Sequence, residues 1–403
     1  MAELWHLHGH GLPQFFHRPS RRPDAWTMLA LLYLVVCTLG ILYAPQPLLN
    51  VLGAEFGTSK TTTALAVTCG MFPLAVAPLL YGPLVSMIPA RRLLLFATLL
   101  LAATGVGLYL TRSFALLLVF RVVQGMLVPV MMTAIMAHIS RQCQGAELQR
   151  ALAVYIGCTV LGGFLGRAGS GALSSLVDWR FSLLVMAILP LLALPALFKM
   201  SVERGAGGRW HPFREYLAGL RDPGVGSVVL VEALMFFVFG GISNFLPFRM
   251  AELGQGEVEF VLGLMYTGYL LGAVVAFNSR RLTSWFGGPV HLMLAGLACY
   301  LPMLLLMAVP SSIALFVGMS VICLGQFTAH SNAPGLVNRL STLDKGMING
   351  LYLTCYYSGG SLGSWLPGYV FHDYGWNACL LLFAALIVVA MGLVWRLNRQ
   401  QLI

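Results

Sequence analysis

Two stretches of the chain decide its fold: YIGCTVLGGFLGRAGSGALSSLVDW at residues 155–179, and YLTCYYSGGSLGSWLPGYVFHDYGW at residues 352–376. A shift of 197 residues lays the second stretch on the first without a gap. The shift pairs Tyr155 with Tyr352, Cys158 with Cys355, Leu165 with Leu362 and Trp179 with Trp376, and it pairs the glycines Gly162, Gly163 and Gly166 with Gly359, Gly360 and Gly363. Chance does not produce an ungapped series that includes Trp, Cys and Tyr, so the chain contains an internal repeat.

The paired glycines follow a GGxxG pattern, which places small residues on one face of a helix. Small residues allow two membrane helices to approach closely. This close approach serves either static packing or helices that rock against each other, and both interpretations fit the pattern.

Composition places these helices in a membrane. The chain has 403 residues, of which 58% are hydrophobic and only 9% are charged, whereas soluble domains carry about 25% charged residues. The eight cysteines form no CxxC pair, which excludes a disulfide scaffold. Lipid offers backbone groups no hydrogen-bond partners, so helices are the expected form. We therefore predict an all-α membrane protein.

Apolar runs long enough to cross a bilayer number twelve. We place them near 26–49, 61–85, 92–111, 114–138, 150–176, 181–199, 225–248, 259–278, 288–309, 312–337, 347–370 and 376–395. Together with the repeat, the twelve runs predict two pseudo-symmetric six-helix bundles, residues 26–199 and 225–396. Both bundles have the same orientation in the membrane. A linker, 200–224, joins the bundles, and residues 1–25 and 397–403 form tails. This is the plan of one large class of transporters.

Arginine and lysine residues predict the orientation, because they accumulate in cytoplasmic loops. If both tails are cytoplasmic, 18 of the 24 lie on that side. Only four lie on the other side: Lys60, Arg112, Arg180 and Arg249. The basic surplus then faces anionic lipid, so the net charge of +10 requires no nucleic-acid partner.

Three motifs carry a resemblance to a known family. They are RxxQG in the fourth span at Arg121, Gln124 and Gly125, a loop motif after the second span at Gly82, Ser86, Arg91 and Arg92, and Asp178-Trp179-Arg180 after the fifth span. With these motifs the chain resembles the major facilitator superfamily (MFS) from about residue 26 to 396. The resemblance implies the MFS fold, a monomer without cofactor or bound metal, and transport of a small molecule by alternating access.

The chain also departs from the family's motifs. Ser86 replaces the aspartate of the loop motif, which implies that this gate is held differently. The fifth span resembles the glycine-rich antiporter motif of the efflux branch, but Arg167 follows Gly166 where that motif has proline. Tyr43-Ala-Pro-Gln-Pro47 resembles a stretch of bacterial inner-membrane exporters, which implies the bacterial cytoplasmic membrane as location.

Ionisable residues inside the spans are the candidates for function, because a charge in the bilayer costs at least about 2.5–3.5 kcal/mol. Glu232 in the seventh span is a candidate for proton coupling, unless it reaches water or Arg221. His330 in the tenth span is the second candidate, because imidazole titrates near neutral pH. The alternative for His330 is a structural hydrogen bond.

Two arginines inside the spans have two interpretations each. Arg121 either has a functional role, in which it tunes the protonation of a nearby carboxylate or meets substrate, or donates hydrogen bonds to backbone carbonyls of a neighbouring helix. Arg167 either attracts an anion, since guanidinium binds carboxylate in bidentate fashion, or turns outward and pairs with Asp178 as a gate.

We predict that further polar residues line a transport pathway. The substrate-binding candidates are Tyr43, Gln46, Asn50, Arg121, Gln124, Arg167, Asn244, Tyr266, Gln326, His330, Tyr352 and Tyr356. The candidates for gating are the loop-motif residues, Asp178, Arg180 and the paired glycines.

The sequence favours a secondary active transporter that exports a small organic solute in exchange for protons. Cationic groups in the spans indicate anionic or amphiphilic cargo. Uptake of a metabolite with protons is the alternative, and a receptor that binds without transport is an alternative from another class. The sequence contains no HExxH, GxSxG or P-loop motif, so we expect neither an enzyme nor an ATP-driven pump.

Overall fold

The computed structural model describes residues 24–80, 87–201, 213–255, 258–343 and 345–399, which form helices and connecting turns without a strand. The first bundle contains α1 (Ala25–Phe56), α2 (Lys60–Leu80), α3 (Ala90–Leu110), α4 (Phe114–Gln142), α5 (Gly145–Leu176) and α6 (Trp179–Lys199). The second contains α7 (Pro223–Glu252), α8 (Glu259–Phe277), α9 (Pro289–Met307), α10 (Ser312–Leu340), α11 (345–374) and α12 (376–399).

The boundary between α11 and α12 lies at Gly375. Eleven helices in the described part of the chain are long and apolar enough to cross a membrane, with Pro367–Arg399 counted as one. Gly375 has φ +79° and ψ −178°, a conformation essentially restricted to glycine, so the chain turns there. The helix Lys345–Gly363 and residues 367–374 therefore form the eleventh crossing. This confirms the predicted twelve-helix fold.

The two bundles use the same helix contact. In the first bundle α1 packs on α5, and in the second α7 packs on α11. At each contact, two glycines lie so close to the opposite backbone that a Cβ would collide with it. Gly162 meets Val36 as Gly359 meets Ala233, and Gly166 meets Gly40 as Gly363 meets Phe237. The partners are again 197 residues apart, so the sequence repeat is also a repeat of packing.

The two ends of the bundle are distinguished by the linker. We call the end where α6 ends and α7 begins the linker side, and the opposite end the far side. Within the predicted linker, Phe213–Arg221 forms a short helix. On the linker side, the Arg91 guanidinium donates to the Met200 carbonyl (3.1 Å). Gly82 and Ser86 of the loop motif lie outside the described residues.

Polar contacts join the two bundles on the far side. Lys60 at the start of α2 pairs with Glu252 at the end of α7 (2.8 Å). Asn50 donates from Nδ2 to the Pro247 carbonyl (2.9 Å). In addition α2 packs along α11, and α5 packs along α8. These contacts thus hold the far-side ends of the two bundles together.

The glycine contacts generate a stability prediction. Gly166→Ala should lower the free energy of unfolding by about 1–3 kcal/mol, because the new Cβ collides with the Gly40 backbone. Gly392→Ala in α12 is the matched control, since a Cβ there meets nothing within 4 Å. Melting temperatures of the purified variants in detergent measure the difference. Equal melting temperatures would contradict the role of close backbone contact.

Candidate functional site

Glu232, His330 and Tyr352 form a hydrogen-bonded triad inside the second bundle. The Tyr352 hydroxyl lies 3.2 Å from Glu232 Oε2 and 2.7 Å from His330 Nδ1. His330 Nδ1 itself lies 3.4 Å from the same carboxylate oxygen. The triad therefore brings together side chains from α7, α10 and α11, and both candidates for proton coupling belong to it.

The triad has two hydrogen-bond arrangements. With Glu232 ionised, the Tyr352 hydroxyl donates to the carboxylate and accepts from a protonated His330 Nδ1. With Glu232 protonated, the carboxyl donates to the hydroxyl, which donates to a neutral Nδ1. Moving between the two requires only that protons shift along existing contacts, as in a relay.

Solvent access differs strongly within the triad. The Glu232 side chain is 0% exposed, whereas the His330 side chain is 29% exposed. Glu232 Oε1 has no hydrogen-bond partner among the described residues, and a buried anion is costly unless it is paired. Binding a proton removes that cost. The geometry thus places a buried proton acceptor in contact with a partly exposed imidazole.

Aromatic rings fix the position of His330. Its imidazole stacks on Tyr356 at 4.1 Å between ring centroids, and Phe236 stacks on Tyr356, also at 4.1 Å. Gln326 accepts from the Tyr300 hydroxyl (2.6 Å) and donates to the Tyr356 hydroxyl (3.4 Å). Predicted residues Gln326 and Tyr356 therefore support the triad from behind.

Arg167 forms a second centre, on α5 at the seam between the bundles. Its guanidinium donates to Gln46 Oε1, to the Gly163 carbonyl (2.6 Å) and to the Tyr269 hydroxyl (2.8 Å). The rings of Tyr43, Tyr266 and Tyr269 surround it at 4.1, 4.8 and 4.4 Å from the guanidinium carbon to each centroid. We call these tyrosines the tyrosine cage.

Arg167 does not pair with Asp178, which instead caps α6 by accepting from the Phe181 backbone N–H (2.7 Å). The guanidinium is 0% exposed. Its described hydrogen-bond partners are all neutral. The far-side neighbour of Asp178, Arg180, forms an ion pair with Glu55 (2.8 Å) at the surface.

A continuous row of rings connects the two centres. Tyr269 contacts Phe239 (5.6 Å between centroids), Phe239 contacts Phe236 (6.3 Å), and Phe236 stacks on Tyr356. The row ends at His330. It therefore extends from the tyrosine cage to the triad along α7.

Arg121 has a different environment, inside the first bundle. Its guanidinium donates to the carbonyls of Ile41 (3.0 Å), Leu42 (2.6 Å) and Ala66 (2.9 Å) and to Gln124 Oε1 (2.6 Å). The Ile41 carbonyl has no helical donor, because residue 45 is proline and lacks an N–H. These contacts agree with the second interpretation of Arg121, in which it donates to backbone carbonyls of neighbouring helices. Two of these carbonyls, those of Ile41 and Leu42, lie where α1 breaks.

The remaining candidates lie at the contact between α2, α7 and α11. Asn244 donates to the Ser364 carbonyl (2.6 Å), and the Ser364 hydroxyl bonds that of Thr68 (2.7 Å). Asn50 lies at the far-side contact with Pro247. Asn50 and Asn244 therefore join the bundles, since Asn244 also donates to the Ala64 carbonyl of α2 (3.4 Å).

Sequence reasoning did not select several residues of the site. Phe236 and Phe239 gave no signal, because phenylalanine is common in apolar spans. Tyr300 could have been selected, because its hydroxyl lies within an apolar run. Its contact with Gln326, however, is apparent only from the fold. Ser364 was visible as the repeat partner of Arg167 but had no assigned contact.

Comparisons with known proteins agree on one family. The model of the Major Facilitator Superfamily matches residues 29–364. The inner membrane transport protein YnfM of Escherichia coli (strain K12) is 27% identical over 97% of this chain and 92% of that protein. The uncharacterized MFS-type transporter YybF of Bacillus subtilis (strain 168) is 22% identical over 90% of this chain and 91% of that protein.

A solved structure shares the fold. The bacterial homologue of the human lysosomal transporter Spinster, inward-facing and unoccupied, superposes with a TM-score of 0.75 at 15% identity. The superposition covers 95% of this chain and 98% of that chain.

The Arg121 contacts generate a second stability prediction. Arg121→Lys should lower the free energy of unfolding by about 2–3 kcal/mol, because one ammonium cannot replace a guanidinium that bonds carbonyls of both α1 and α2. Arg112→Lys, at an exposed position, is the control. The melting temperature in detergent measures both. If Arg121→Lys melts like the wild type, the carbonyl bonds contribute nothing to stability.

Proposed function

The chain belongs to the Major Facilitator Superfamily, and from that premise we propose that it exports a small organic solute in exchange for protons. It is a multi-pass membrane transporter with relatives in the bacterial inner membrane. The observation that supports proton exchange is the triad of Glu232, Tyr352 and His330, because it combines a fully buried carboxylate with a partly exposed imidazole.

In this proposal, His330 takes up or releases protons and Tyr352 passes them to Glu232. A proton on Glu232 neutralises a charge that is costly in an apolar bundle. The protonated and ionised triads have different hydrogen bonds between α7, α10 and α11, so protonation biases the relative position of these helices. This satisfies the requirement that a coupling ion interact differently with two conformations.

Contacts between the bundles support alternating access. The far side is held by the Lys60–Glu252 ion pair and the Asn50 bond to Pro247. With both termini cytoplasmic, as the arginine distribution predicts, the far side faces outward and the structure is closed to the exterior. Export then requires that these contacts separate after the solute has bound from the linker side.

The proton-coupling proposal predicts the effect of Glu232→Gln. A one-unit pH gradient supports about tenfold accumulation of a solute exchanged for one proton. With Glu232→Gln this ratio should fall to about one, because glutamine cannot bind or release the proton. Proteoliposomes of the wild type and variant, tested with a panel of labelled organic solutes at equal and unequal pH, measure the ratio.

Glu147→Gln is the matched control, since Glu147 is an exposed carboxylate in the first turn of α5. If Glu232→Gln accumulates the solute to the same ratio as the wild type, Glu232 is not the proton-coupling residue. A solute that moves in the same direction as the protons would identify an importer. Binding without flux in the wild type would favour a receptor.

The orientation is tested by chemical labelling of cysteines. In a chain whose native cysteines are replaced by serine or alanine, Arg112→Cys should react with an impermeant maleimide in intact cells. Arg399→Cys should react only after lysis, because the arginine distribution predicts that the C-terminal tail is cytoplasmic. Both positions are exposed in the structure. The opposite labelling pattern would reverse the topology.

A further inference from the structure

A buried cation without a counter-ion is unusual enough to require a reason, and Arg167 is such a cation. Its guanidinium is 0% exposed, and its described hydrogen bonds go to an amide oxygen, a carbonyl and a hydroxyl. Among the described residues, no carboxylate forms an ion pair with it. Cations inside membrane bundles pair with an opposite charge or with backbone carbonyls, and they mark substrate pathways. Arg121 bonds three carbonyls, whereas Arg167 bonds only one.

The donor geometry of Arg167 fits a carboxylate. Guanidinium has five N–H donors in a planar fork that matches a carboxylate with two parallel hydrogen bonds. The described hydrogen bonds to Gln46, Gly163 and Tyr269 use three of the five. A carboxylate that approaches from the Tyr269 side can take a remaining donor together with the one that the hydroxyl occupies.

The surroundings of Arg167 fit an apolar group attached to that carboxylate. The tyrosine cage presents three ring faces to the guanidinium. The row of rings through Phe239 and Phe236 continues from the cage to His330, whose side chain is partly exposed. Aromatic surface therefore surrounds the position that a planar or hydrophobic organic acid would take beside the arginine.

We propose that Arg167 binds the carboxylate of a small hydrophobic organic anion, and that the anion displaces the Tyr269 hydroxyl from the guanidinium. This inference rests on the proposed transport function, for which it names the class of solute. Arg167 is on α5 of the first bundle, and Tyr269 is on α8 of the second. Displacement of the hydroxyl therefore removes a hydrogen bond that spans the seam.

This arrangement links binding to movement. While the site is empty, Arg167 holds Tyr269 and keeps α5 and α8 together. When the anion occupies the guanidinium, the charge-assisted bond to Tyr269 is lost, and the bundles separate more easily on the far side. The solute thus releases the contact that would block its exit.

The test uses the purified full-length protein in detergent and three probes of the same shape. Benzoate, benzamide and benzylamine are anionic, neutral and cationic, and acetate and naphthoate extend the carboxylate series. Titration calorimetry measures the dissociation constants, and thermal shifts check that each variant is folded. The wild type should bind benzoate or naphthoate more tightly than the amide, and benzylamine least.

Two variants should change carboxylate binding in opposite directions. Arg167→Gln should weaken it by about tenfold or more and leave benzamide unchanged, because only the charge-assisted bonds are lost. Tyr269→Phe should strengthen carboxylate binding by about tenfold, because the ring remains and the competing hydroxyl is removed. Arg112→Gln removes an exposed positive charge and should leave all dissociation constants unchanged.

Three outcomes overturn the inference: no carboxylate of the series binds the wild type, Arg167→Gln binds as the wild type does, or Tyr269→Phe weakens carboxylate binding. The last would mean that Tyr269 supports the site rather than competes for it. Because these measurements need no flux, they are independent of proton exchange. Carboxylate binding that depends on Arg167, together with flux that ignores pH, would reject only the proposed coupling.

Discussion

The bilayer withholds water from the interior of this protein, so each buried polar group must find a partner within the fold. This constraint explains the contacts of Arg121, Arg167 and Glu232. Arg121 donates four hydrogen bonds, three of them to backbone carbonyls of α1 and α2. Arg167 donates three, of which only one goes to a carbonyl and one crosses the seam to Tyr269. Glu232 retains an oxygen without a partner among the described residues. The kind of partner thus separates Arg121, which is bound by its own scaffold, from two charges whose contacts a ligand or a proton can change.

The scaffold is symmetric and its chemistry is not. The glycine contacts repeat with a shift of 197 residues, down to the backbone atoms that they meet. At the same shift, however, Arg167 corresponds to Ser364 and Glu232 corresponds to Val35. The first bundle therefore contributes Arg167 and the second contributes Glu232, buried groups of opposite charge at positions that the repeat does not relate. The symmetric pair of bundles would allow the rocking motion that the proposed transport requires, while the asymmetric charges distinguish the two bundles chemically.

The sequence was sufficient for the scaffold because bilayer thickness, apolar length and the repeat each constrain it independently. It also indicated Glu232 and His330, since ionisable residues in apolar spans are conspicuous. It did not bring them together, because the contact between α7, α10 and α11 depends on tertiary packing. For the same reason the Arg121 contacts were left open: they require that α1 break beside α4. Phe236 and Phe239, which connect the two centres, have no polar group and were invisible among other apolar residues.

The separation of the two centres has a consequence for coupling. If Arg167 binds the anion and Glu232 binds the proton, the two ligands do not compete for the same atoms, so exchange must be enforced through conformation. The seam supplies the means, because Tyr269 responds to occupation of Arg167 and the triad responds to protonation, and both are attached to the second bundle. The row of rings on α7 joins the two centres, since Phe239 contacts Tyr269 and Phe236 stacks on Tyr356, which in turn stacks on His330. Exchange of one ligand for the other then requires that the two centres bias the second bundle in opposite directions.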